Sequence, residues 1–197
     1  MIYEAYQKPF PTITINDHYV LREQSDDDTR PFFEYYCQDP EVTRYILATV
    51  PTSLEEANAE IHYCRNLFYH KRGFYWTLAR RDNNKIIGSV GLYMNNHHHR
   101  AEICYDLAKA YWRKGIMEIV LNKVIDFAFE KLAVFRVEAL TLKENTASIG
   151  ILMKLGFAKE GTLRKYRYFK ETPRDVELYA TTIEMVQTKR QEMLNKK

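Results

Sequence analysis

The hexapeptide Trp112-Arg113-Lys114-Gly115-Ile116-Met117 lies where a predicted strand turns into a predicted helix. A helix that begins directly after such a turn leaves its first N–H groups unpaired and points the positive end of its dipole outward. Phosphate-bearing ligands seek that combination. Gly115 lets the backbone approach a ligand closely, and successive N–H groups from about Arg113 through Lys114, Gly115, Ile116 and Met117 to Glu118 form a cup sized for a pyrophosphate. The stretch is neither a nucleotide P-loop, which needs two spaced glycines followed by Lys-Ser/Thr, nor a dinucleotide GxGxxG turn. A glycine near a helix start is also ordinary structure, so the loop alone fixes no ligand.

Two other groupings invite chemistry. Glu102 and Cys104 lie two residues apart and so share one face of the predicted strand 101–107. A nucleophilic thiolate at Cys104 would need a base, and no His stands near it in sequence, so the residue reads as a small buried hydrophobe. His97, His98 and His99 are adjacent, but neighbours in an extended loop point in alternate directions, and no Cys or acidic partner lies at ligand spacing. They read as a solvated turn, and no metal site is expected.

These residues need a scaffold. The chain has 197 residues, 46% hydrophobic and 28% charged, which suits one domain with a real core. We expect an arm over 1–12, a single domain over 13–186 and a polar, basic tail over 187–197 that is either frayed helix or disorder. The net charge of +3 asks for no nucleic acid. No run is long and apolar enough for a membrane helix and no signal pattern opens the chain. Cys37, Cys64 and Cys104 form neither a disulfide framework nor a zinc spacing, which points to the reducing cytoplasm.

Pro9 and Pro11 make the arm extended, and an edge strand follows around residues 19–22. The acidic cluster Asp26-Asp27-Asp28 caps a helix over about 31–38, which Asp39-Pro40 stops. Thr52-Ser53-x-Glu55-Glu56 opens a helix reaching about His70, with Ala57, Ile61, Cys64, Leu67 and Phe68 on one face. A hairpin of strands 74–80 and 85–92 comes next, then strand 101–107. In the long helix, Met117, Val120, Leu121, Val124, Ala128 and Leu132 form an apolar stripe. A strand over 135–141 and a helix over 145–155 stopped by Gly156 lead to two final strands, 158–164 and 174–185, separated by the aromatic and basic segment 165–172. This order predicts a mixed α/β (α+β) fold, mostly antiparallel, with one parallel strand–helix–strand crossover. The exposed terminal strand offers an edge for a homodimer.

The motifs, taken in order, resemble the GNAT N-acetyltransferase superfamily. The family loop is Gln/Arg-x-x-Gly-x-Gly/Ala; here it is Trp112-x-x-Gly115-x-Met117, where Trp is similar to the ribosomal-protein N-terminal acetyltransferase branch and Met117 departs from the expected small residue. AEICYDL, Asn145-Thr-Ala-Ser148, Lys154-Leu155-Gly156-Phe157, Glu160-Gly161-x-x-Arg164, Asp175 and Tyr179 continue the likeness over about residues 22–184.

The resemblance implies the GNAT fold, acetyl-coenzyme A as acetyl donor and direct transfer to an amine. A base must neutralise the amine, donors must meet the oxyanion, and the leaving thiolate needs a proton. It implies that strands near Tyr105–Ala108 and 135–141 splay apart, with the backbone N–H near Leu107, beside Ala108, on the thioester carbonyl. Glu102 matches the strand position of the catalytic Glu in histone-acetylating relatives; a solvated strand carboxylate is the plainer reading. Leu152 replaces the usual acid Tyr, and Ser148, one turn earlier, is the substitute the branch implies. Asn145 is a helix cap, a contact for the pantetheine arm, or both. Tyr105, Tyr166 and Tyr168 are candidates for the acceptor cleft. The branch favours a protein or peptide N-terminus as acceptor; a polyamine, an aminoglycoside, or a non-catalytic acyl-coenzyme A sensor are the alternatives.

Overall fold

The structure, a computed structural model, describes residues 2–46 and 49–195. A short helix α1 (Ile2–Ala5) precedes strands β1 (Ile13–Thr14) and β2 (Tyr19–Glu23). A 3-10 turn over Asp26–Asp28, helix α2 (Thr29–Phe32) and a wider helical turn over Phe33–Cys37 follow. Helix α3 (Leu54–Tyr69), capped by Ser53 Oγ on the Glu56 N–H at 3.1 Å, leads into β3 (Gly73–Arg80), β4 (Ile86–Asn95) and β5 (Arg100–Leu107). Helix α4 (Ile116–Lys131), β6 (Arg136–Thr141), α5 (Thr146–Lys154), β7 (Ala158–Phe169), β8 (Thr172–Thr181) and α6 (Ile183–Leu194) complete the chain.

The strands form one sheet in the order β1-β2-β3-β4-β5-β6-β8-β7. Among the described pairings only β5 and β6 run parallel, joined by α4 as the crossover. All six residues of the predicted α4 stripe are buried, packed on Phe74, Trp76, Val90, Leu92 and Ile103 of the sheet. Removing each such side chain from water stabilises the fold by roughly 1.5–3 kcal/mol. Helix α5 ends with Gly156 at φ +88°; the Phe157 N–H donates to Leu152 O at 3.0 Å and the Gly156 N–H to Met153 O at 3.3 Å, a left-handed cap of the kind the sequence predicts.

Five expectations need correction. The terminal strand is not an exposed edge: β8 lies between β6 and β7, and β1 and β7 form the edges of the sheet. The first twelve residues are not simply extended: α1 is helical, Tyr6 and Phe10 pack on Phe68 and Phe74, and Trp76 Nε1 donates to Pro11 O at 2.7 Å. The helix expected over 31–38 starts earlier, at Thr29, and widens after Phe32. The segment 165–172 is mostly strand, because β7 runs on to Phe169 and turns at Lys170-Glu171, both with positive φ. That two-residue geometry fits a hairpin but usually carries Asn or Gly, so the sequence hides it. Finally, β8 stops at Thr181 and residues 183–194 are helical, with Val186 buried and Arg190 bound to Asp126 at 2.8 Å and to Asn122 at 3.1 Å. These tertiary contacts hold a helix that polar composition hides.

Asp28 is more than a cap. Its carboxylate accepts from both terminal nitrogens of Arg22 at 2.7 and 2.6 Å, from Thr77 Oγ1 at 2.9 Å and from the Ser25 N–H at 3.0 Å, with only 4% of the side chain exposed. Removing one partner of a buried ion pair strands the other. We expect Asp28→Ala to cost about 3 kcal/mol in urea unfolding, well above the cost of losing an exposed cap.

Candidate active site

The site begins where two strands part company. β5 and β6 pair at Arg100↔Arg136, Ala101↔Val137 and Glu102↔Glu138, and no pair follows. Each continues on its other side, β5 with β4 as far as Leu107↔Gly88 and β6 with β8 as far as Thr141↔Glu177. A V-shaped gap therefore opens in the sheet. The Ala108 N–H donates to Ile87 O at 2.8 Å, which makes Leu107↔Gly88 a non-bonded pair of the antiparallel ladder. The Leu107 N–H thus faces away from β4, into the gap. Ala108, by contrast, has its donor engaged on β4 and its side chain buried, and it does not line the cleft.

The turn after β5 is held by Trp112, whose Nε1 donates to Leu107 O at 2.7 Å. Arg113 (φ +58°) and Gly115 (φ +70°) then reverse the chain into α4, and nothing lies within 4 Å of where a Gly115 Cβ would stand. The first helical bond runs from the Ile119 N–H to Gly115 O at 3.3 Å. Among the described residues, none of the N–H groups from Arg113 to Glu118 has an acceptor. Open space over six orphan donors fits a pyrophosphate. Glu118, the one acid in this first turn, sits 3.3 Å from Lys154 Nζ on α5, which offsets its charge.

Helix α5 forms the opposite wall. Asn145 Oδ1 accepts from the Ser148 N–H at 3.2 Å, so Asn145 is a cap; it also lines the cleft. Ser148 Oγ lies 2.7 Å from Tyr105 OH, and burial pushes the Tyr105 phenol up to about 12, with the Ser148 bond pulling the other way. Leu152 is 1% exposed, packed in the core, and does not line the cleft. The whole cleft is a cavity of about 920 Å³ bounded by the 111–118 turn, β5, the end of β6 and α5.

On the other face of β5 stand Glu102, Cys104 and Asp106, all lining the cleft. Glu102 Oε1 accepts from an Arg167 terminal nitrogen at 2.8 Å; burial raises its pKa above the ordinary carboxylate value while Arg167 opposes the shift. Burial and the flanking Glu102 and Asp106 push the Cys104 thiol up to about 12. Asp106 is raised to about 6 by burial, against the pull of donors on Ser89 and Tyr36; its Oδ1 accepts from the Ser89 N–H at 3.0 Å. The aromatic lining here is Tyr45, Tyr63, Tyr75 and Tyr93. Tyr166 and Tyr168 are 56% and 73% exposed and stand outside the cleft. His97–His99 form a turn, with the His99 ring 5.5 Å from that of Phe135, and no metal-holding group of His, Cys, Asp or Glu occurs among the described residues.

A family profile described as an acetyltransferase (GNAT) domain matches residues 18–158. The chain belongs to the GNAT acetyltransferase family. YoaA of Bacillus subtilis (strain 168), an uncharacterized N-acetyltransferase, is 37% identical over 172 residues, 87% of this chain and 96% of its own. The [ribosomal protein uS5]-alanine N-acetyltransferase of Escherichia coli (strain K12) is 29% identical over 118 residues, 58% of this chain and 61% of its own. The solved structure of RimL, a ribosomal L7/L12 alpha-N-protein acetyltransferase, shares the fold with a TM-score of 0.80 at 18% identity, covering 90% of this chain and 97% of its own.

Within this GNAT frame the cleft gathers Glu102, Leu107, Arg113–Glu118, Asn145 and Ser148. Sequence reasoning missed Asp106 and Arg167. Strand alternation from Glu102 through Cys104 leads directly to Asp106, whereas Arg167 lies on the part of β7 that the aromatic and basic composition of 165–172 disguises as a break. A thiol that stays protonated at neutral pH is a poor nucleophile. Cys104→Ser is therefore expected to retain acetyl-transfer turnover within about two-fold, measured by thiol release; loss by orders of magnitude would restore an acetyl-cysteine route.

Proposed function

We propose that this GNAT enzyme transfers the acetyl group of acetyl-coenzyme A directly to a primary amine. The carrying observation is that one cleft joins the orphan N–H groups of residues 113–118 to the Leu107 N–H in the open gap. The 113–118 turn binds the coenzyme's pyrophosphate, and the Leu107 N–H polarises the thioester carbonyl oxygen. Glu102, directly or through a water, takes the proton of the incoming ammonium, and Arg167 fixes the carboxylate's position. The Tyr105–Ser148 hydroxyl pair supplies a proton to the departing sulfur, with Ser148 on α5 as the donor. Likeness to the uS5-alanine acetyltransferase supports a protein or peptide N-terminus as acceptor. Three free thiols suit a reducing, cytoplasmic setting.

Thioester consumption over a panel of peptides and amines tests the reading. Acceptor-dependent thiol release is expected; coenzyme binding without it would make the protein a sensor instead. Glu102 works only as the carboxylate, so kcat/KM should rise with pH through a limb lying above the ordinary carboxylate range. Glu102→Gln should abolish that limb and lower kcat about 100-fold, with the acetyl-coenzyme A Kd unchanged; an unaltered pH profile would remove Glu102 from the role. Trp112→Phe deletes the bond that pins the turn to Leu107. Calorimetry should show acetyl-coenzyme A binding weakened about five-fold, the loss of about 1 kcal/mol expected for one hydrogen bond.

A further inference from the structure

A second cavity, about 60 Å³ in volume, lies against the acetyl cleft and shares the walls Ile46, Glu60, Tyr75 and Asp106 with it. Its polar lining holds the carboxylates of Glu60 and Asp106 and the amide of Gln24 among hydroxyls and thiols, and the Tyr36 and Ser89 hydroxyls and the Cys64 thiol are already spent on those two carboxylates. Gln24 is 5% exposed, and its Oε1 is wholly buried with no hydrogen-bond donor. Glu60 has no cationic partner among the described residues; its Oε1 is reached only by the Cys64 thiol at 3.4 Å. Asp106 is met only by neutral donors, from Ser89 and Tyr36. Among the described residues, no Lys or Arg lines the cavity. Two carboxylates and an orphaned amide oxygen around one small space leave acceptors in surplus, a costly state that a donor-rich cation relieves. An ammonium group brings three donors and a positive charge on a compact head. The space is about twice the roughly 30 Å³ share of a liquid water, enough for an ammonium and a methylene or two. Apolar walls at Phe32 and Ile61 suit the methylenes.

Glu102, Leu107 and Ser148 line the cleft but not this cavity, so a group held there is not the one that meets the thioester. We infer that it is a recognition subsite for a second ammonium on the acceptor, which makes the preferred acceptors aliphatic diamines, either free or as a lysine side chain beside a peptide's reacting amine. This rests on the acetyl-transfer reading for the reacting amine. Glu60 and Asp106 lie 46 positions apart in the sequence, and the pair forms only where α3 and β5 meet.

Binding separates this inference from the reaction itself. With the protein saturated in coenzyme A, calorimetry should show 1,5-diaminopentane binding at least ten-fold tighter than 1-aminopentane. A tripeptide beginning with lysine should exceed its norleucine counterpart likewise, if the source is a peptide; preference in one arm alone identifies the source. Glu60→Gln should reduce the preference to under three-fold, and Gln24→Leu, whose folding a thermal melt verifies, should do the same. Equal binding of diamine and monoamine in both arms, or a preference untouched by Glu60→Gln, overturns the subsite. Diamine binding with no acetylation of any amine would instead overturn the proposed reaction and leave the subsite standing.

Discussion

Everything at this site depends on three residue pairs between β5 and β6 and on their absence thereafter. Backbone donors and acceptors seldom remain unpaired in a folded interior. Here two strands keep their outer ladders yet leave facing edges open, so the sheet holds part of its hydrogen-bonding capacity in reserve for a ligand. The closed end of the V is secured by charge. Glu138 accepts from Arg100 and Arg136, each at 2.7 Å, and despite partial burial these two guanidiniums hold its pKa below the ordinary value. Arg136 reaches on to Glu160 of β7, tying three strands at the point where the gap starts.

That clamp bears on Glu102, which lies beside Glu138 across the parallel pair. Two neighbouring carboxylates would repel if both were left bare. Glu138 is neutralised by two arginines from the closed end, and Glu102 by Arg167 from the β7 hairpin. The two acids therefore do different work from adjacent positions: one binds the sheet together, and the other, more weakly held, remains available within the cleft.

Local signals explain why some of this was legible in the sequence. Helical periodicity marks α3 and α4, Gly156 marks the end of α5, and the Trp112–Met117 sequence marks the turn of unpaired N–H groups. Each depends on neighbours in the chain. The proposed acceptor side was illegible because it is assembled from remote segments: Gln24 follows β2, and Glu60, Asp106 and Arg167 come from α3, β5 and β7. The extension of β7 that carries Arg167 depends on a turn of Lys170 and Glu171 at positive φ, residues with no such preference of their own. The reach of α6 likewise follows from Arg190 meeting Asp126, a contact 64 positions away that composition cannot express.

Strand alternation gives the gap one more meaning. Tyr105 and Leu107 belong with Ser148 and the coenzyme turn on one side of the sheet, while Glu102, Cys104 and Asp106 belong with α3 on the other. The opening between β5 and β6 is thus a window through a wall, and the two substrates of the proposed reaction arrive from opposite sides of it. Neither has to leave before the other enters, and no side chain has to ferry an acetyl group across. The proposed direct transfer needs a ternary complex, and a two-sided opening accommodates one; it would also let the proposed acceptor half change while the donor half stays intact.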